Sequence, residues 1–136
     1  MNSTSLKSYS KIIQCDKCKQ NFLLSSVKID RADIRLKNQT LEVTYFRCVH
    51  CKEPYIICVE NDEVRKLKSQ YSEQMLNMRR YAINCLKNKD SYSDEEIKHI
   101  QYLSSKIDKT KLKFERKQEV LRDKYGNAIF DYLKNN

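Results

Sequence analysis

The sequence predicts an α+β protein: a small three-stranded antiparallel sheet within residues 11–60, then a long antiparallel helical hairpin over 61–136. Three observations carry this. Two C-x-x-C pairs, Cys15-Asp16-Lys17-Cys18 and Cys48-Val49-His50-Cys51, lie 29 residues apart among short strand-like runs. Between Asp33 and Arg47 apolar and polar residues alternate, the period of a half-buried strand pair. From Val64 onward the apolar residues recur at a mean spacing of 3.5, the period of packed helices.

Length and composition bound the answer. A chain of 136 residues suits one domain, or one small domain with a helical extension. With 33% charged and 40% apolar residues, one Gly, one Pro and no Trp, it is helix-rich and neither low-complexity nor membrane-embedded. There is no apolar run of about 18 residues, and Met1 to Lys7 lack the apolar core of a signal peptide, so a cytoplasmic location is expected. Cysteine pairs in an unexported chain are expected to be reduced and to bind metal, not to form disulfides.

Taken in order, residues 1–10 are polar and Ser-rich and read as a flexible arm. Lys11 to Gln14 form a short strand into the first knuckle, and Asn21 to Leu24 leave it. Ile34 and Leu36 precede Asn38-Gln39-Thr40, and Leu41, Val43 and Tyr45 follow: a hairpin whose second strand delivers Cys48. Pro54 to Val59 make a third, nearly continuous apolar strand.

Each C-x-x-C pair presents two thiolates from one tight turn. Four sulfurs are what a tetrahedral structural Zn²⁺ prefers, so Cys15, Cys18, Cys48 and Cys51 are the expected ligands of one closed site. The spacing resembles a zinc ribbon. A ribbon of about 50 residues buries little apolar surface, and structural zinc supplies an apparent binding free energy of about 10–16 kcal/mol. Lys19 and Lys52 stand where many knuckles have Gly. His50 could replace a cysteine as ligand, but four cysteines already fill the site, and it is expected to face solvent. Cys58 and Cys85 read as small buried hydrophobes, since no Cys/His/Asp constellation accompanies them.

Asn61-Asp62-Glu63 carries a helix-start signal. Val64, Leu67, Tyr71, Met75, Met78, Ala82 and Cys85 then form a coiled-coil-like stripe. Lys87 to Tyr92 interrupt it, and Ser93-Asp94-Glu95-Glu96 is a capping box opening a second helix. Ile100, Ile107, Phe114 and Leu121 follow at intervals of seven, and pairing about the turn sets Leu67 near Phe114. Gly126-Asn127 is expected to bend the chain, so that Ile129, Phe130 and Leu133 pack against the ribbon or a second subunit.

The net charge is +9; four thiolates around one divalent ion would lower it to about +7. Lys106, Lys109, Lys113, Arg116 and Lys117 fall on adjacent faces of the second helix. They read either as a surface tracking phosphates or acids, or as a solvated face with pairs such as Lys111 to Glu115. Tyr45, Phe46 and Tyr55 lie beside Arg47, Lys52 and Lys19, so they read either as a base-stacking platform or as the ribbon core. Alternation places Phe46 on the opposite sheet face. With a single Gly there is no phosphate-cradling loop, and neither H-E-x-x-H, a nucleophile elbow nor H-x-E is present; no enzyme is expected.

The run Glu42 to Ile57, with the helix start Asn61 to Leu67, resembles small zinc-ribbon proteins of bacteriophages and mobile elements of AT-rich bacteria. The likeness covers about residues 11 to 68 and implies origin and metal more than an activity. Such proteins commonly bind and redirect a host machine, which implies docking on a transcription, replication or defence protein in the bacterial cytoplasm. The alternative is direct DNA or RNA binding through the basic stripe with Phe46, Arg47 and Lys52. A homodimer through the helical region is open, and the acids Asp90, Asp94, Glu95 and Glu96 at the hairpin tip read as a helix cap or as a functional tip.

Overall fold

The computed structural model describes residues 11–136; the expected arm over 1–10 lies outside the described residues. Lys37 and Asn38 are both left-handed, with φ of 49° and 65°. Two such residues make the tight turn that matches the twist of paired strands, and this turn sets the main register. Strand β3 (Asp30–Leu36) pairs antiparallel with β4 (Gln39–Arg47), with Leu36 opposite Gln39, Ile34 opposite Leu41 and Ala32 opposite Val43. β5 (Pro54–Glu60) completes a three-stranded sheet in the order β3-β4-β5. The first knuckle belongs to a separate two-stranded hairpin, β1 (Ile12–Gln14) with β2 (Asn21–Leu23). The structure therefore contains the expected three-stranded sheet plus a second, smaller one.

Burial along β4 changes face. Leu41 and Val43 are buried, and then, with the opposite parity, Phe46 and Cys48. A strand between two cores does this because successive side chains point to opposite faces. Phe46 joins Phe22, Cys15 and Cys48 in one core cluster, with Ile13, Val27 and Tyr55 packed against it.

Two helices follow. α1 (Asp62–Cys85) is capped by the Asn61 side chain, which accepts from the Val64 N–H at 3.0 Å. α2 (Asp94–Asn135) opens with a reciprocal capping box: the Ser93 N–H donates to Glu96 Oε1 at 2.8 Å, and the Glu96 N–H donates to Ser93 Oγ at 3.2 Å. The helices lie antiparallel. Lys117 pairs with Glu63, the Tyr71 and Phe114 rings are 5.5 Å apart, and the Tyr81 and His99 rings 4.6 Å. Phe114 thus meets Tyr71, one turn beyond the expected Leu67. At the base, buried Glu60 accepts from Lys68 and from Gln118, both at 2.8 Å.

The chain divides into two units, and the division falls inside α2: residues up to Val59 cluster with Leu121–Asn136, and Glu60–Val120 form the other. In the first unit the C-terminal part of α2 is tied to the sheet. Gln39 Nε2 donates to the Tyr125 hydroxyl at 3.0 Å, Arg47 donates to the Leu133 carbonyl at 2.9 Å, and Arg122 donates to the Ile57 carbonyl. Ile129 and Leu133 are buried, Phe130 is half-buried, and the buried Tyr125 completes a spacing of four from Leu121. The expected bend at Gly126-Asn127 is absent, because α2 runs through both residues. A side chain at Gly126 would meet nothing within 4 Å.

Two outcomes follow for stability. Gly126→Ala should raise the unfolding free energy by about 0.5–1 kcal/mol, since Gly loses most backbone freedom in a helix; denaturant titration checks it. The Lys89 ammonium and then the Ser93 N–H hold the Glu96 carboxyl down to about 2. A depressed folded-state pKa stabilises above the unfolded value of about 4.5 and is lost as pH falls. The stability difference between native protein and Glu96→Gln should therefore be constant above about pH 5 and shrink towards pH 2.

Candidate metal centre

The two knuckles share one geometry. In the first, the Cys15 N–H donates to Gln20 O at 3.0 Å and the Lys19 N–H to Cys15 O at 2.9 Å. In the second, the Cys48 N–H donates to Glu53 O at 2.9 Å and the Lys52 N–H to Cys48 O at 3.0 Å. The chain turns so sharply that Lys19 and Lys52 both become left-handed, at φ 62° and 67°. These are the positions where Gly would avoid the steric cost of a Cβ.

The knuckles bring Cys15, Cys18, Cys48 and Cys51 together, their sulfurs within 4.8 Å of one another. Across the knuckles Cys15 Sγ lies 3.5 Å from Cys51 Sγ, and Cys18 Sγ 3.8 Å from Cys48 Sγ. A tetrahedron with metal–sulfur bonds of about 2.3 Å has edges of about 3.8 Å. All four cysteines are free. The cluster is compatible with one metal ion, and its donor set suits a thiophilic dication.

Hydrogen bonds prepare the sulfurs unequally. The Cys18 N–H and then the Tyr55 hydroxyl hold the Cys15 thiol down to about 6, against burial. Burial raises Cys48, but the N–H groups of Cys51 and His50 outweigh it and leave the thiol below its ordinary value. The Gln20 N–H lowers Cys18, yet burial and the Cys15 and Cys48 sulfurs carry it above. The Glu53 N–H likewise lowers Cys51, and burial with the neighbouring sulfurs pushes it up to about 11. The first cysteine of each pair is thus the readier thiolate. Tyr55 bridges the knuckles, accepting from the Asp16 N–H at 2.9 Å and donating to Cys15 Sγ at 3.1 Å. Burial first, and then the bond to Cys15, push its hydroxyl up to about 12.

The other expected site residues are distributed as follows. His50 stands outside the cluster, with Nε2 3.2 Å from the Asn21 carbonyl. Phe46 is only 8% exposed, edge-on to Phe22 and stacked on Tyr55. It belongs to the metal-site core, and burial withdraws it from the expected contact surface. Arg47 lies over the Tyr45 ring at 5.4 Å while holding the Leu133 carbonyl at the end of α2. Lys52 reaches the Val49 carbonyl at 3.4 Å. On α2, Lys106, Lys109, Lys113 and Arg116 are exposed, whereas Lys117 is half-buried and paired with Glu63. Cys58 and Cys85 are half-buried. Sequence reasoning missed Tyr55 as a partner of the sulfurs; its position four residues past Cys51 was the available signal.

Comparison with protein-family models, with curated proteins and with solved structures found no match to this chain.

Cys15→Ser or Cys51→Ser should abolish stoichiometric metal binding and the dispersed amide spectrum of the first unit, read by elemental analysis and NMR. Tyr55→Phe removes one hydrogen bond to a ligand sulfur and should weaken metal affinity about 10–100-fold in a chelator competition, with the fold kept in excess metal.

Proposed function

We propose that the chain is a non-catalytic binding module: a zinc-ribbon-like unit stapled by one Zn²⁺, followed by a coiled-coil-like hairpin that docks on an acidic surface of a host machine handling nucleic acid. The observation that carries this reading is the outer face of α2. Lys106, Lys109, Lys113 and Arg116 are exposed and, at about 1.5 Å per residue, extend over about 15 Å. No ion pair holds Lys109, Lys113 or Arg116 among the described residues. On a helix of about 3.6 residues per turn, Asp108, Glu115 and Glu119 fall about 80° or more from the centre of this face. A row of exposed cations, offset only in part by Glu63 near Lys113, favours an anionic partner. Four sulfurs fill a tetrahedral site and leave no position for a substrate, which supports a structural role for the metal. The resemblance to small phage and mobile-element proteins supports a bacterial host cytoplasm and a regulatory or inhibitory purpose.

Direct binding to DNA or RNA is a second reading, and one observation favours it: Tyr102 is 56% exposed and carries Lys106 Nζ 5.4 Å above its ring. An exposed aromatic beside cations is the pattern on which single strands stack.

The two readings part in one experiment. Zinc-loaded protein is titrated with random single-stranded DNA over about 50–200 mM salt; the second reading expects a log–log slope near about −3 for four phosphate contacts. The first expects no such binding. It expects a bacterial protein retained on immobilised native chain after nuclease treatment and lost when Lys106, Lys109, Lys113 and Arg116 are all replaced by Glu.

A further inference from the structure

Beside the metal centre, the exit of the second knuckle leaves a hollow of about 430 Å³ lined by Asp16, Lys17, Glu53, Pro54, Tyr55, Ile56 and Phe130. Glu53 is fixed by the fold, since its carbonyl accepts the Cys48 N–H at 2.9 Å. Its side chain is 10% exposed. Lys17 Nζ stands 3.6 Å from Oε2, outside hydrogen-bond reach, and Oε1 is buried with no hydrogen-bond partner among the described residues. Buried carboxylate oxygens are ordinarily satisfied, because desolvating one without a donor is costly. The residue also lines the open hollow.

We propose that this hollow receives an arginine side chain of a partner polypeptide, with the Glu53 carboxylate as its acceptor. The walls match such a group. Pro54 is buried and Ile56 and Phe130 half-buried, apolar surface for the aliphatic stem, and Tyr55 and Phe130 supply aromatic surface beside the carboxylate. A guanidinium is planar, always charged and weakly hydrated, so it tolerates such a pocket better than an ammonium does. Charge is complementary: Asp16 and Glu53 face the hollow against the single Lys17. Four thiolates with one divalent ion add a further net −2 alongside. An acidic side chain is repelled, and a neutral donor satisfies the carboxylate without the charge attraction. The proposal deepens the binding-module reading by naming a feature of the partner and rests on it, but its residues lie outside the basic face of α2, so the two fail separately.

The test uses full-length zinc-loaded protein labelled with ¹⁵N and two probes, acetyl-Gly-Arg-Gly-amide and the same peptide with citrulline, a neutral analogue of nearly equal shape. The arginine peptide should shift the amides of Asp16, Lys17, Glu53, Tyr55 and Ile56 saturably. The citrulline peptide should bind at least tenfold more weakly, and Glu53→Gln should reduce arginine-peptide binding by a similar factor with zinc stoichiometry unchanged. Should Glu53→Gln fold poorly, the two peptides compared on native protein decide the matter. Equal shifts from both peptides, shifts elsewhere, or no shift at millimolar arginine peptide would overturn it.

Discussion

Four cysteine sulfurs held within 4.8 Å of one another are the constraint on which the first unit depends. As thiolates they repel, and only a cation among them turns that repulsion into cohesion. The local structure serves this convergence. Each knuckle repeats the same pair of backbone hydrogen bonds and forces one lysine left-handed, a strain that persists only where the surroundings over-determine it. Phe22, Phe46 and Tyr55 then shield the cluster, and Tyr55 joins the knuckles through its hydroxyl. The ring core is part of the site, because it excludes water and orients the ligands.

The second constraint is the length of α2, 42 residues without a break. Its buried apolar residues change rhythm where it passes from one unit to the other: Ile107, Phe114 and Leu121 at sevens, then Tyr125, Ile129 and Leu133 at fours. A repeat of seven keeps nearly to one face of a helix, whereas a repeat of four turns by about 40° at each step. The first rhythm suits a single facing helix. The second spreads burial over a wider arc, as a sheet requires, and hydrogen bonds from Gln39, Arg47 and Arg122 fasten that part of α2 to the strands.

Cations do different work in the two units. Near the metal centre Arg47, Lys52 and Lys17 are engaged with carbonyls or a carboxylate. On α2 the exposed Lys109 and Arg116 have no ion pair among the described residues, whereas Glu63 is paired with Lys117 and is also held down by the charge of Lys113. The acidic tip is divided in the same way: Glu96 is committed to the Ser93 capping box and to Lys89, which places one of the tip acids in the helix start.

Much was legible in the sequence because it rests on local rules. The C-x-x-C spacing named the four cysteines that converge, alternation marked the hairpin, and Asn61 and Ser93 with Glu96 marked both helix starts. These signals act over a few residues, so neighbours along the chain suffice to read them. Tertiary structure alone decided which face of β4 each aromatic occupies: a strand has two equivalent faces, and only the second core at the metal site made Phe46 a buried residue. It also decided Gly126, whose turn propensity yields to an uninterrupted helix fastened along the sheet, and it withdrew Arg47 from the surface by placing the end of α2 within its reach. The carboxylate of Glu53 is the same case. Nothing in its sequence neighbourhood distinguishes it, and only the meeting of the second knuckle with Asp16 and Phe130 surrounds it with apolar walls and leaves one oxygen without a donor among the described residues.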